Sequence, residues 1–251
     1  MGRTAGPHQR VAGLPLLLGS SEPAQPSGVL AERAEEHPGP REVSRIMAPT
    51  IVNVGYRSTN YWVVSAGRAR LLVDLGWPGT LGLMKASLDR MGVPMSELRY
   101  GLATHYHIDH AGLAQELKEL GVPLLVLESQ VSAIPLMKRH TKPRDRYVDI
   151  ALFDNVVIPF HESRRRLAEM GIAGEVVPTP GHSDDSVSLV LDEGMAFTGD
   201  LPSLTMVEAG SEGALAASWR RLLGLGVITV YPGHGAPWSL PHADSRFSPA
   251  S

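Results

Sequence analysis

The stretch of the chain that decides the fold reads Thr104-His105-Tyr106-His107-Ile108-Asp109-His110. It places three histidines and one aspartate within six residues, directly after the strand-like run 100–103. Side chains two positions apart in an extended segment point to the same side, so the first two histidines can approach one ion together. The aspartate and the third histidine follow where the chain turns toward a helix, and they can face a neighbouring point. Imidazole and carboxylate are ligands that zinc accepts, so the stretch predicts one loop that supplies two metal ions.

Three further candidate ligands follow along the chain, each at a strand end or a turn and each next to a glycine. They are His182 after Gly181, Asp200 after Gly199, and His234 after Gly233. A glycine beside a ligand lets the backbone approach an ion without a side-chain clash. A single histidine is more often structural than a ligand, but the repeated local pattern and the dense stretch together predict a metal site.

The composition narrows the chemistry of that site. The chain has 251 residues, of which 43% are hydrophobic and 20% charged, which is typical of a globular protein with a sizeable core. It contains no cysteine, which excludes disulfides, thiolate nucleophiles and every cysteine-containing zinc site. The formal net charge of -3 provides no basic field for nucleic acid or for a membrane surface. We therefore expect nitrogen and oxygen ligands and a small-molecule substrate.

Two regions of the chain differ in composition. Residues 1–46 are rich in Pro, Gly, Ser, Glu and Arg and have too little apolar surface to offset the entropy of ordering, so we predict a disordered tail. Met47 stands just before the first strand-like run and is an alternative start, which would make the tail an artefact of the gene prediction. We predict a folded domain over residues 47–251. No stretch approaches the roughly 20 apolar residues of a membrane span, and we expect a cytoplasmic protein.

The pattern of the folded region mixes strands and helices. Alternating and continuous apolar runs predict strands at 51–54, 61–64, 70–74, 100–103, 124–127, 175–177, 187–191, 195–197 and 227–231. Helical spacing of apolar residues predicts helices at 80–91, 111–120 and 214–223. The order of these elements predicts a layered α/β protein with both faces of the sheet covered.

The four motifs, in this order, resemble the metallo-β-lactamase superfamily. They are His105-x-His107-x-Asp109-His110, Gly181-His182, Thr198-Gly199-Asp200 and Pro232-Gly233-His234, and Asp74-Leu75-Gly76 resembles the opening of the same family. The resemblance extends over about residues 47–240. It implies an α+β fold, an αββα sandwich of two mixed β-sheets with external helices and with the metals at one edge.

The resemblance also implies how the seven candidates divide between two ions. It places His105, His107 and His182 on the first metal, Asp109, His110 and His234 on the second, and Asp200 between them as a bridge. Two divalent ions are expected, Zn²⁺ in the first place, with Fe or Mn as alternatives, and they would activate a bridging hydroxide. Asp109 is in addition the candidate catalytic residue, which would orient the nucleophile or pass a proton to the leaving group.

Because it has Asp200 and no cysteine, the chain resembles the glyoxalase II and lactonase side of the family more than the true β-lactamases. The expected reaction is therefore hydrolysis of an ester, a lactone or a thioester. An iron-dependent sulfur (persulfide) dioxygenase of the same fold, with one metal, is the alternative. A non-catalytic binding module is disfavoured because it would have no need of all seven ligands.

Residues 135–165 allow two interpretations. The segment mixes apolar, aromatic and basic residues, and the run Arg164-Arg165-Arg166 lies nearby. It is either a lid over the substrate or an ordinary pair of surface helices with a solvated basic face. A lid with a basic rim would suit a substrate with an acidic end.

Overall fold

The computed structural model describes residues 48–208 and 212–240. The predicted tail at 1–46 and the last part of the predicted domain, 241–251, lie outside these ranges, so both predictions stand as they are. Within the described ranges, no helix combines the length and the apolar character needed to span a membrane.

The first sheet has four strands in the order β1-β2-β3-β4. They are β1 (Thr50–Asn53), β2 (Trp62–Ala66), β3 (Ala69–Val73) and β4 (Leu98–Leu102). Neighbours among the first three strands are antiparallel, whereas β3 and β4 are parallel. A parallel pair needs a crossover connection, and helix α1 (Leu81–Arg90) provides it.

The middle of the chain contributes three helices and a small parallel pair of strands. These are α2 (Ile108–Ala111), α3 (Ala114–Glu119), β5 (Leu125–Leu127), β6 (Val156–Ile158) and α4 (Phe160–Ala168). β5 lies next to the first sheet through a parallel bridge between Gly101 and Leu124.

The second sheet has five strands in the order β11-β10-β9-β8-β7. They are β7 (Gly174–Pro178), β8 (Val187–Leu191), β9 (Met195–Gly199), β10 (Thr229–Pro232) and β11 (Trp238–Ser239). β9 and β10 are parallel and the other pairs antiparallel, so this sheet is mixed like the first. Helix α5 (Ala214–Gly224) forms the crossover between β9 and β10.

The two sheets pack face to face over one buried layer of apolar side chains. Val64 and Leu71 of the first sheet belong to the same cluster as Leu189 and Phe197 of the second, and all four side chains are fully buried. Successive side chains of a strand point to opposite faces. The neighbours of these residues must therefore pack on the outer faces.

The outer faces are covered by helices. Val63 and Leu72 of the first sheet cluster with Leu88 of α1, and on the second sheet Val190 clusters with Trp219 of α5. The layers therefore run helix, sheet, sheet, helix. This arrangement of two mixed sheets confirms the predicted αββα sandwich.

One predicted helix is divided in the structure. The run 111–120 was expected as one helix, but α2 ends at Ala111 and α3 begins at Ala114. At the break, the backbone of Gly112 packs so closely against residues 76–78 that an added Cβ would lie 2.6 Å from the carbonyl oxygen of Gly76. The consequence is that Asp109 and His110 lie in a helical turn of their own.

Residues 135–165 form several unlike elements rather than a helix pair. They contain a 3₁₀ helix at Ile134–His140, another at Pro143–Asp145, β6 and much of α4. The run of arginines in α4 is paired with acidic side chains, for example Arg164 with Glu175 and Asp192. That run is a solvated charged face, as the second interpretation had it. Further 3₁₀ helices lie at Met95–Glu97, Glu128–Gln130 and Leu204–Met206.

Candidate metal centre

All seven predicted side chains lie on loops or on the short α2 that follow the carboxyl ends of four strands. His105, His107, Asp109 and His110 follow β4, His182 follows β7, Asp200 follows β9, and His234 follows β10. The two sheets bring these strand ends to one edge of the sandwich, where the seven side chains meet.

His105, His107 and His182 form the first group. Their ligand atoms all lie within 4.8 Å of one another. Nε2 of His182 is 3.0 Å from Nδ1 of His107. His105 is buried, whereas the other two rings are exposed. The group therefore combines a buried anchor with two rings that solvent or a substrate can reach.

Asp109, His110 and His234 form the second group. Oδ2 of Asp109 lies 3.4 Å from Nε2 of His110 and 3.3 Å from Nε2 of His234. All three side chains thus direct one atom each toward a common point.

Asp200 faces both groups with different oxygens. Its Oδ1 lies 3.2 Å from Nε2 of His110 and 3.4 Å from Nε2 of His234. Its Oδ2 lies 3.7 Å from Nε2 of His182. This is the placement that a carboxylate needs in order to join two neighbouring ions.

The spacing and the unsatisfied atoms of the site fit metal ions. Ligands about 2.1 Å from a tetrahedral zinc ion lie roughly 3.4 Å from one another, and the distances above scatter around that value. Nε2 of His105, Nε2 of His110 and Oδ1 of Asp200 are buried and have no hydrogen-bond partner. Buried polar atoms are nearly always satisfied, and a cation would satisfy these three at once.

The electrostatics of the site favour positive charge at its centre. Burial alone would lower the pKa of His110, but the carboxylates of Asp74, Asp109 and Asp200 raise it well above its usual value. Burial instead holds the pKa of His105 well below its usual value, so that ring is neutral, as a metal ligand must be. The surrounding carboxylates thus stabilise a cation at Nε2 of His110.

Hydrogen bonds at Nδ1 fix which nitrogen of three rings faces the centre. Nδ1 of His234 donates to the carbonyl oxygen of Ser58 at 2.8 Å, and Nδ1 of His110 donates to Oδ2 of Asp74 at 2.8 Å. The hydroxyl of Thr104 donates to Oδ1 of Asp74 at 2.8 Å and so can only accept from Nδ1 of His105 at 3.2 Å. In the neutral form that binds a metal, each ring therefore carries its proton on Nδ1 and presents a free lone pair on Nε2.

Asp74 is the functional residue whose role the sequence did not reveal. It is almost fully buried at the end of β3, with φ of 66°, a conformation that Asp tolerates better than most residues. One oxygen accepts from both the backbone N–H and the hydroxyl of Thr104, and the other accepts from His110. The signal that was available is the motif Asp74-Leu75-Gly76, in which an acidic residue directly follows an apolar strand.

Two further contacts hold the ligand segments. Oδ2 of Asp185 accepts the backbone N–H of Tyr106 at 2.7 Å, so this carboxylate holds the loop between two candidate ligands rather than a histidine ring. The hydroxyl of Thr59 donates to Oδ2 of Asp109 at 3.1 Å. Burial would raise the pKa of Asp109, but the nearby His110 ring and the hydrogen bond from Thr59 lower it below its usual range.

Sequence comparison places this geometry in a family of known proteins. The family model described as the metallo-beta-lactamase superfamily matches residues 54–234. A lactamase-like protein of Pestalotiopsis microspora is 28% identical over 199 residues, covering 77% of this chain and 54% of that protein. An atrochrysone carboxyl ACP thioesterase of Aspergillus fumigatus is 28% identical over 228 residues, covering 82% of this chain and 62% of that protein. The chain thus spans about half to two thirds of the length of these relatives.

Structural comparison agrees with the family model. The solved structure of TTHA1623 in a di-iron-bound form matches with a TM-score of 0.55 and 26% identity, covering 77% of this chain and 94% of that protein. The family match extends from the end of the first strand to the last of the seven clustered side chains. The chain belongs to the metallo-β-lactamase superfamily.

Proposed function

We propose that this chain is a dinuclear metal-dependent hydrolase that acts on an ester, a lactone or a thioester. The observation that carries the proposal is the position of Asp200, which directs Oδ1 toward His110 and His234 and Oδ2 toward His182. A site for one ion would have no use for a carboxylate placed between two complete groups of ligands.

In this proposal His105, His107 and His182 would hold the first ion, Asp109, His110 and His234 would hold the second, and Asp200 would serve both. Two divalent ions held there would supply hydroxide near neutral pH and would polarise a carbonyl oxygen. Asp109 is the proposed catalytic residue. Its carboxylate, oriented by Thr59, directs the attacking water or carries a proton to the leaving group.

The names of two similar proteins support the proposal. One relative is a thioesterase, and one solved structure carries two irons. Both properties belong to those proteins, and we transfer them here as hypotheses about bond type and ion number. Zinc remains the expected ion, with iron as the first alternative. A small-molecule substrate and a cytoplasmic location stay predictions.

Metal analysis and a substrate panel test the proposal directly. We expect two divalent ions per purified chain, hydrolysis of at least one acyl thioester or lactone, loss of that activity with a chelator, and its return when Zn²⁺ is added. β-Lactam and phosphodiester substrates serve as the comparison. One iron per chain with oxygen consumption would favour the sulfur dioxygenase instead. Two bound ions with no hydrolysis of any acyl substrate would contradict the proposal.

Gly233 provides a test of how closely the backbone approaches the two ion sites. An added Cβ at this position would lie 2.5 Å from Oδ1 of Asp200 and 2.6 Å from Cε1 of His110. We expect Gly233→Ala to weaken metal binding about tenfold and to lower the free energy of unfolding by about 1–3 kcal/mol, measured by metal titration and chemical denaturation.

The matched control is Gly82→Ala, since a Cβ added to this glycine in α1 meets no atom within 4 Å. It should leave metal binding unchanged and stabilise the helix by about 0.5–1 kcal/mol. Equal metal affinity in the two variants would show that the close approach of the Gly233 backbone to Asp200 and His110 does not affect metal binding.

A further inference from the structure

A pocket of about 370 Å³ is formed by three separate segments of the chain. Its lining comprises Tyr56 and Arg57 after β1, residues 77–80 after β3, and residues 144–146. A volume of this order accommodates part of a small-molecule ligand. The third segment belongs to the region 135–165, for which the sequence left a substrate-facing role open.

The lining of the pocket is connected to the candidate metal centre by two hydrogen bonds. Nε1 of Trp77, in the pocket wall, donates to the hydroxyl oxygen of Thr59 at 3.2 Å. The same hydroxyl donates to Oδ2 of Asp109 at 3.1 Å. The loop that carries Arg57 also holds the centre, since Ser58 accepts from His234. The pocket wall is therefore linked to the centre through the hydroxyl of Thr59.

The pocket carries a surplus of positive charge. Three guanidinium groups line it, those of Arg57, Arg144 and Arg146, against one carboxylate, that of Asp145. The carboxylate is already engaged, since Oδ2 accepts the backbone N–H of Lys142 at 2.7 Å and Oδ1 lies 3.9 Å from Nε of Arg144. The formal charge of the lining is therefore +2.

Arg57 and Arg146 remain available to a ligand. Among the described residues neither forms an ion pair with an acidic side chain, and Arg57 instead lies over the ring of Tyr56 at 5.2 Å. The stem of Arg146 covers Gly79, where an added Cβ would lie 3.3 Å from Cδ of the arginine. Both arginines have φ of 56°, which is uncommon outside glycine and is often found at ligand-binding sites.

On the basis of the proposed function, we infer that this pocket binds an anionic group of the substrate, a carboxylate or a phosphate. Arg57 and Arg146 would pair with the anion, because the planar guanidinium matches the oxygen pairs of both groups. Trp77 would contact the part of the substrate that links the anion to the bond cleaved at the metal centre. The substrate class is thus an acyl compound with an acidic end.

Two pairs of substrates test this inference and separate the two sources of the anion. The first pair, the butanoyl and succinyl thioesters of N-acetylcysteamine, differs by a carboxylate on the acyl arm. The second pair, the butanoyl thioesters of pantetheine and of 4′-phosphopantetheine, differs by one phosphate on the leaving group. We expect kcat/KM to be about tenfold to a hundredfold higher for the anionic member of one pair. The pair that shows the preference identifies the source.

The double variant Arg57→Gln/Arg146→Gln should lose this preference and keep kcat/KM for the neutral thioester. The matched control Arg68→Gln/Arg99→Gln removes two charges at other exposed positions and should keep the preference. No preference in the unmodified protein, or an equal preference in the first variant, would overturn the inference.

If no thioester is hydrolysed, that result counts against the proposed function alone. A binding measurement then still tests the anion pocket. Glutarate and inorganic pyrophosphate are titrated into the metal-loaded full chain by calorimetry. We expect one of them to bind at least about tenfold more weakly to Arg57→Gln/Arg146→Gln than to the unmodified protein. An anion that binds only at the ions would show equal affinity in both, and that result, or no binding at all, would refute the pocket as an anion site.

Discussion

Replacing Asp200 with asparagine is expected to lower the metal content from two ions per chain to one or none and to reduce kcat/KM about a thousandfold or more. The side chain keeps its shape, but it loses the charge and one of the two oxygens that face His110, His234 and His182. A neutral amide nitrogen cannot bind a cation, so one of the two ions loses its shared ligand. The loss of several kcal/mol of charge stabilisation corresponds to at least three powers of ten in rate. Metal quantification and steady-state kinetics on the best substrate of the panel measure both effects.

Asp89→Asn is the control for this substitution, because it makes the same chemical change at an exposed position of α1. It should keep both ions and full activity. An Asp200→Asn protein that retained two tightly bound ions would show that the carboxylate does not join the two groups, and the dinuclear proposal would then lose its main support.

Much of the fold could be predicted because short runs of apolar residues in the sequence indicate most of its strands. The run 187–191 is apolar except for Ser188, and β8 at Val187–Leu191 is buried along its whole length between a sheet and a helix layer. The candidate ligands were found for a similar local reason. Each of His182, Asp200 and His234 follows a glycine where a strand has ended, and such positions meet at one edge of a layered sheet.

The contacts that orient the ligands could not be predicted, because they join positions far apart in the chain. Asp74 reaches His110 over 36 residues and Thr59 reaches Asp109 over 50. The first contact depends on the parallel register of β3 and β4, in which Val73 lies beside Leu102. A sequence pattern indicates that two strands exist, but it does not specify which of their ends adjoin. The arginine pocket was missed for the same reason, since its three segments are brought together only by the tertiary fold.

The contact between Asp74 and His110 leads to the second large expected effect. In the unmodified chain the backbone N–H and the hydroxyl of Thr104 both donate to Oδ1 of Asp74. In Asp74→Asn the one remaining side-chain oxygen must accept both of these hydrogen bonds. The amide N–H₂ then faces Nδ1 of His110, which can only accept, so the proton of the ring moves to Nε2. A protonated Nε2 cannot bind a metal, and the lone pair that faces Asp109 and Asp200 is lost. We expect affinity for the second ion to fall about a hundredfold, with the fold kept because asparagine tolerates the same left-handed backbone conformation.

Metal titration followed by calorimetry measures that affinity. The ring nitrogen shifts of His110 in the metal-free protein, recorded at a pH above the raised pKa of this ring, report where its single proton lies. Asp154→Asn is the matched control, since Asp154 also has a positive φ of 61° and is exposed. It makes the same substitution in the same backbone conformation and should change neither quantity. A decrease in metal affinity with the proton of His110 still on Nδ1 would mean that Asp74 acts through its charge alone. Unchanged affinity would mean that the tautomer of His110 is set by the ions themselves and not by the carboxylate behind it.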